Sequence, residues 1–163
     1  MNFNKDDYLT PESAVKLILP YVKKFKTIWC PFDKEDSNFV RVFKENSINV
    51  IHSHIEYGED FFTYTPNQNY DAIVSNPPFS KSDKIIQRLH KIDKPYAIIM
   101  PVSSLQGKTK FQYIKDTAQV LIPENRIQYL NPITKTNLDT TVSFGSVYLC
   151  RDILPEKLIY EYY

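Results

Sequence analysis

Asn76-Pro77-Pro78-Phe79 is the segment of this chain whose residue types are best suited to chemistry. Two consecutive prolines carry no backbone N–H and stiffen the turn, so carbonyl oxygens are left to face outward. Asn76 adds a side-chain amide oxygen, and Phe79 a flat apolar face. Two acceptors beside a stacking surface suit a planar exocyclic amine. The lone pair of such an amine is delocalised into its ring, which makes it a poor nucleophile. Acceptors on its N–H groups favour the pyramidal form that can attack an electrophile such as a methyl sulfonium. Charge builds on nitrogen only as the bond forms, so the acceptors stabilise the transition state in preference to the ground state. Stacking on Phe79 would hold the ring in plane, worth about 1–3 kcal/mol. A rigid Pro-Pro turn closed by an aromatic, with no ligand, is the structural alternative.

The corner must be carried by the elements around it. Residues 70–75 form an almost uninterrupted apolar run, the pattern of a strand covered on both faces, and lead straight into Asn76. Residues 11–24 read as a helix with Thr10 as N-cap, Pro11 in the first helical position and Val15, Ile18, Leu19 and Val22 on one face. A strand at 26–30, a helix opened by Ser37 and burying Phe39, Val40 and Phe43, and a strand at 48–54 make a parallel crossover unit. Ser80 or Ser82 is expected to cap a helix carrying Ile85, Ile86 and Leu89, followed by a strand at 95–100 and a helix at 108–116. Strands at 119–122, 126–130 and 142–150 complete an open, mostly parallel α/β sheet with helices on both faces and a C-terminal antiparallel hairpin. In such sheets ligands bind beyond the carboxyl ends of the strands, where Cys30, His54, Asn76 and Met100 stand.

With 163 residues, 42% of them hydrophobic, one domain over 1–163 with no separate target-recognition domain is expected. A formal charge of +1 argues against a dedicated DNA-binding module, so nucleic-acid contact would need local patches. Residues 1–7 are polar and lack a signal peptide's apolar stretch, and no apolar run approaches the roughly 20 residues needed to span a bilayer. A cytoplasmic location follows as the expectation. Cys30 and Cys150 have no metal-binding spacing and read as buried free thiols. His52 and His54 share a strand face but no third ligand is evident, so no metal is expected.

The tetrapeptide after a buried strand resembles the signature of the S-adenosylmethionine-dependent methyltransferases that modify adenine N6: an acidic or amide residue, two prolines and an aromatic. In size the chain is most similar to the small phage-encoded DNA adenine methyltransferases. The resemblance spans residues 8–150 and implies a Rossmann-like class I methyltransferase fold, S-adenosylmethionine as cofactor, and catalytic roles for Asn76, Pro77, Pro78 and Phe79. It places Tyr8, Thr10 and Pro11 at a cofactor-contacting Thr-Pro pair, although a plain helix start explains them as well. It places Cys30, Pro31 and Asp33 in the loop for the cofactor's methionine part, where the family usually has Gly-x-Gly and this chain has no glycine. Where the family usually sets an acid on the ribose, this chain has His54, with Glu56 two residues on. Asp60 and Phe61 match an Asp-aromatic pair that holds the cofactor's adenine; a capping Asp and a core Phe are the alternative.

Adenine in duplex or single-stranded DNA is the leading expected substrate, the duplex requiring base extrusion at roughly a few kcal/mol. The tetrapeptide is shared with enzymes of other planar amides, so RNA adenine and protein glutamine remain open. A methyltransferase-like fold serving as a binding module for protein or nucleic acid is the non-enzymatic reading. Sequence specificity would be short, loose or supplied by a homodimer or partner subunit. Lys108, Lys110, Lys115 and Arg126 form either a solvated surface or a phosphate-contacting edge. Residues 131–140 read as an exposed loop, and 160–163 as a docking segment or a tail packed on the sheet.

Overall fold

The computed structural model describes residues 8–138 and 142–163. The polar segment 1–7 and the end of the loop 131–140 lie outside the described residues. The elements are α1 (Glu12–Val22), β1 (Thr27–Cys30), α2 (Asn38–Glu45), β2 (Asn49–His52), β3 (Ala72–Ser75), α3 (Ser82–Ile92), β4 (Tyr96–Pro101), α4 (Lys108–Ile114), β5 (Gln119–Pro123), β6 (Ser146–Arg151) and β7 (Leu158–Glu161).

Seven strands form one sheet in the order β2-β1-β3-β4-β6-β5-β7. Strands β2, β1, β3 and β4 are parallel neighbours, whereas β6 runs antiparallel to both β4 and β5. This is the expected mostly parallel α/β sheet with an antiparallel C-terminal hairpin. Side chains alternate across it. Ile28 and Cys30, Ala72 and Val74, and Ala97 and Ile99 join the core that contains α1 and α2. Trp29, Ile73, Ile98 and Met100 join the opposite core, with Ile85, Ile86 and Leu89 of α3 and Ile114 of α4. Each fully buried side chain of this size contributes about 1.5–3 kcal/mol. That two-sided burial is why the strands read as continuous apolar runs.

Three local expectations are corrected. The N-cap of α1 is Pro11, extended at ψ 156° and without a side-chain cap, and not Thr10. The Pro11 carbonyl accepts from Ala14 and Val15, so the helix starts one residue later than expected. Lys81, and neither Ser80 nor Ser82, stands at the N-cap of α3, because a 3-10 turn over Phe79–Lys81 comes first. Residues 126–130 are no strand: Ile127 and Tyr129 are buried, but only Leu130 bridges to neighbours, Leu9 and Asn137. Alternating burial there comes from side chains dipping into the core, without a ladder. The C-terminal tail includes β7, which pairs parallel with β5 at the sheet's edge. Tyr163 follows it, its hydroxyl accepting from Ser13 Oγ at 2.9 Å. Among the described residues no helix is long and apolar enough to cross a membrane.

Candidate active site

The chain turns to opposite sides after β1. Strand β2 lies on one flank of β1 and β3 on the other, so the carboxyl ends of β1 and β3 flank a topological switch point. Crevices of this kind are where open α/β sheets bind ligands. Asn76-Pro77-Pro78-Phe79 leaves β3 at this point.

Pro77 is buried, while Asn76, Pro78 and Phe79 are partly buried. Asn76 Oδ1 is buried and has no hydrogen-bond partner among the described residues. Leaving a buried acceptor unmet costs about 1–3 kcal/mol, so its retention points to something that meets it in use. Phe79 is held by two other rings. Phe144 meets it edge-on with centroids 5.7 Å apart, and Tyr129 lies 6.4 Å away at 69°. Tyr129 in turn stacks on Tyr8 at 6.0 Å and donates its hydroxyl to Ser146 Oγ at 2.8 Å. Tyr8 is therefore brought to the corner through Tyr129. Thr10 is tied elsewhere: its carbonyl accepts from Asn38 Nδ2 at 2.9 Å, which anchors it to α2.

The loop after β1 reaches the same place. Asp33, 7% exposed, accepts a hydrogen bond from the hydroxyl of Ser75, the residue before Asn76. This contact crosses the switch point and joins the two loops that border it. Ser37, which caps α2 by accepting from Val40 N, also bonds the Asp33 carboxylate. Burial pushes the Asp33 carboxyl up from 3.8 to about 6, against the lowering effect of the Ser75 and Ser37 hydrogen bonds. Cys30 is fully buried in the core, and burial raises its thiol well above the ordinary range. The Asp33 charge of the following loop raises it further, and Pro31 is buried beside it.

A raised pKa in the fold means that the folded chain holds this proton more tightly than the unfolded chain does. The stability so gained is complete below the unfolded value of 3.8 and is lost as pH rises through about 6. Asp33→Asn, which stays neutral, should therefore gain on the wild type between about pH 5 and about pH 8, by roughly 1–2 kcal/mol. Thermal melts of both proteins at the two pH values measure this. A difference that does not change with pH would show that the carboxyl is not held neutral.

His54 begins the 3-10 turn Ile55–Tyr57, its Nδ1 accepting from Glu56 N at 3.2 Å. Desolvation, and secondarily the Lys34 charge, lower its pKa. Glu56 is exposed and paired with Lys34 at 2.6 Å. Asp60 Oδ1 accepts from Phe62 N at 3.0 Å, closing a tight turn, and the residue is partly exposed. Phe61 is 2% exposed and packs on Phe32 at 4.8 Å and on Trp29 at 5.6 Å. Arg88 of α3 lies over Phe61 and donates to the carbonyls of Phe62 and Tyr64. The 60–64 loop is thus fixed to the β1 loop on one side and to α3 on the other.

Solved structures share this fold. A protein from Listeria monocytogenes described as a class I S-adenosylmethionine-dependent methyltransferase superposes with a TM-score of 0.53 at 10% identity, over 99% of this chain and 67% of its own. The methyltransferase subunit of a type I restriction-modification system from Streptococcus thermophilus gives 0.52 at 12% identity, over 98% of this chain and 48% of its own. The fold is that of the class I methyltransferases. No protein-family model and no curated protein matches the sequence. The chain spans about half the length of the second neighbour.

Within this class I frame, Ser75, Tyr129 and Phe144 reach the site although sequence reasoning missed them. Only Tyr129 and Phe144 left a signal: two aromatics in segments otherwise read as hairpin strands. The Asp33–Ser75 contact joins residues 42 positions apart and has no local signature.

Proposed function

We infer that the chain transfers a methyl group from S-adenosylmethionine to an exocyclic amine, and that the amine is N6 of adenine in DNA. The observation that carries this is the buried, unpartnered Oδ1 of Asn76, set in a proline-locked corner at the switch point of a class I methyltransferase fold.

The residues present fit the cofactor at one end. The partly exposed Asp60 carboxylate can accept from its adenine amino group, with Phe61 supporting the turn from the core. Asp33 fits less directly, since its carboxylate is taken up by Ser75 and Ser37. It serves here as a brace for the corner. S-adenosylmethionine supplies an electrophilic methyl on a positively charged sulfur. Asn76 Oδ1 accepts one N–H of the target amine, and a carbonyl of the Pro-Pro turn accepts the other. Phe79, backed by Tyr129 and Phe144, stacks on the base and aims the amine. With the cofactor bound, the two acceptors would offset the positive charge that builds on the amine nitrogen as it takes up the methyl and releases one proton to solvent.

Incubation with methyl-labelled cofactor and undermethylated DNA should put label into nuclease-sensitive material. Label that is sensitive to protease instead would redirect the reading to a glutamine side chain, and label on RNA alone to RNA adenine. The occupied Asp33 and the glycine-free β1 loop favour one second reading, a binding module of the same fold. A flat calorimetric titration with S-adenosylmethionine would establish that reading in place of the enzyme.

A further inference from the structure

A cavity of about 680 Å³ opens immediately beyond the corner. Ser80, next to Phe79, begins its wall, which continues through Lys81, Asp83 and Lys84 and is completed by Phe62 and Lys110. Three ammonium groups thus face one carboxylate. That carboxylate is already engaged: Lys110, only 8% exposed, lies 3.1 Å from Asp83 Oδ1 and donates to Ser82 Oγ at 3.3 Å. Lys81 and Lys84 are exposed, and neither forms an ion pair among the described residues. The wall is also the start of α3, whose first N–H, that of Ser82, already donates to the Phe79 carbonyl through the preceding 3-10 turn. Two exposed cations without an ion pair among the described residues, Lys81 with its ammonium 5.7 Å from the Phe62 ring centroid and Lys84, together with a buried third make this a place for an anion.

The anion's source follows from the neighbour. A base stacked on Phe79 arrives attached to a sugar-phosphate strand, and the cavity wall begins at Ser80, the next residue along the chain. A glutamine side chain would arrive on a peptide backbone that carries no charge of its own. We propose that the Lys81–Lys84–Lys110 cavity holds a backbone phosphate flanking the nucleotide whose base is presented to Asn76, so that the substrate is a polynucleotide strand. This rests on the methyl-transfer reading above. It also reconciles a nucleic-acid substrate with a formal charge of only +1, because the positive charge is concentrated where the strand must be held.

The test is fluorescence anisotropy with a labelled, adenine-containing single-stranded oligonucleotide across a sodium chloride series, without cofactor. Wild-type affinity should fall log-linearly with salt. Lys81→Gln/Lys84→Gln should flatten that slope by about 0.7 for each lost contact and weaken binding alike for all sequences. Lys23→Gln/Lys44→Gln, which removes two exposed charges at the ends of α1 and α2, should keep the wild-type slope. No oligonucleotide binding by the wild type, or an unchanged slope in the Lys81/Lys84 variant, overturns the assignment. Labelled transfer assayed in parallel separates the two ideas. Methylated DNA with an unchanged slope sinks the cavity alone, whereas a flattened slope with no methylation of any substrate sinks the transfer reading alone.

Discussion

Asn76→Ala should lower methyl transfer by at least about 10²–10³-fold while leaving S-adenosylmethionine affinity nearly unchanged. The lost atom is the buried oxygen that no other group among the described residues meets, so the role to measure is toward a bound amine. An acceptor that strengthens as charge develops acts on turnover more than on binding. Single-turnover transfer of label gives the rate, and calorimetric titration gives the affinity. Equal loss of both would place Asn76 among the groups that hold the cofactor, and the amine-activating role would be gone.

Asp60→Ala should weaken S-adenosylmethionine by about 10–100-fold, the equivalent of one charge-assisted hydrogen bond. The same substitution also removes the acceptor for Phe62 N, so the turn itself is at stake. Asp60→Asn separates the two effects. Its amide oxygen can keep the Phe62 contact, whereas its charge is gone and only one acceptor remains. Weakened binding in both variants, with near-native melting in Asp60→Asn, supports a direct contact with the cofactor's adenine. Wild-type affinity in Asp60→Asn would reduce Asp60 to a turn-former.

The helices and the buried strands of this chain were legible because each is a local pattern. Helix α2 follows from Ser37 and the spacing of Phe39, Val40 and Phe43, all of which the structure buries. Strands β3 and β4 follow from apolar runs that two covering layers require. The same rule misread residues 126–130, where alternation of Ile127 and Tyr129 reports burial and no neighbouring strand is there to pair. It also undervalued 158–161, because an edge strand with one wet face carries a weak pattern.

Residue types and their order along the chain determined the corner: two prolines, an amide and an aromatic, delivered by a strand that had to be buried. Which groups surround that corner was decided only by the folded chain. Asp33 against Ser75, Tyr129 and Phe144 behind Phe79, and Lys110 reaching back to Ser82 all join distant segments. Such contacts arise from how layers pack on a sheet. Hydrophobic periodicity fixes which face of an element is buried, but not which distant side chain it will meet there.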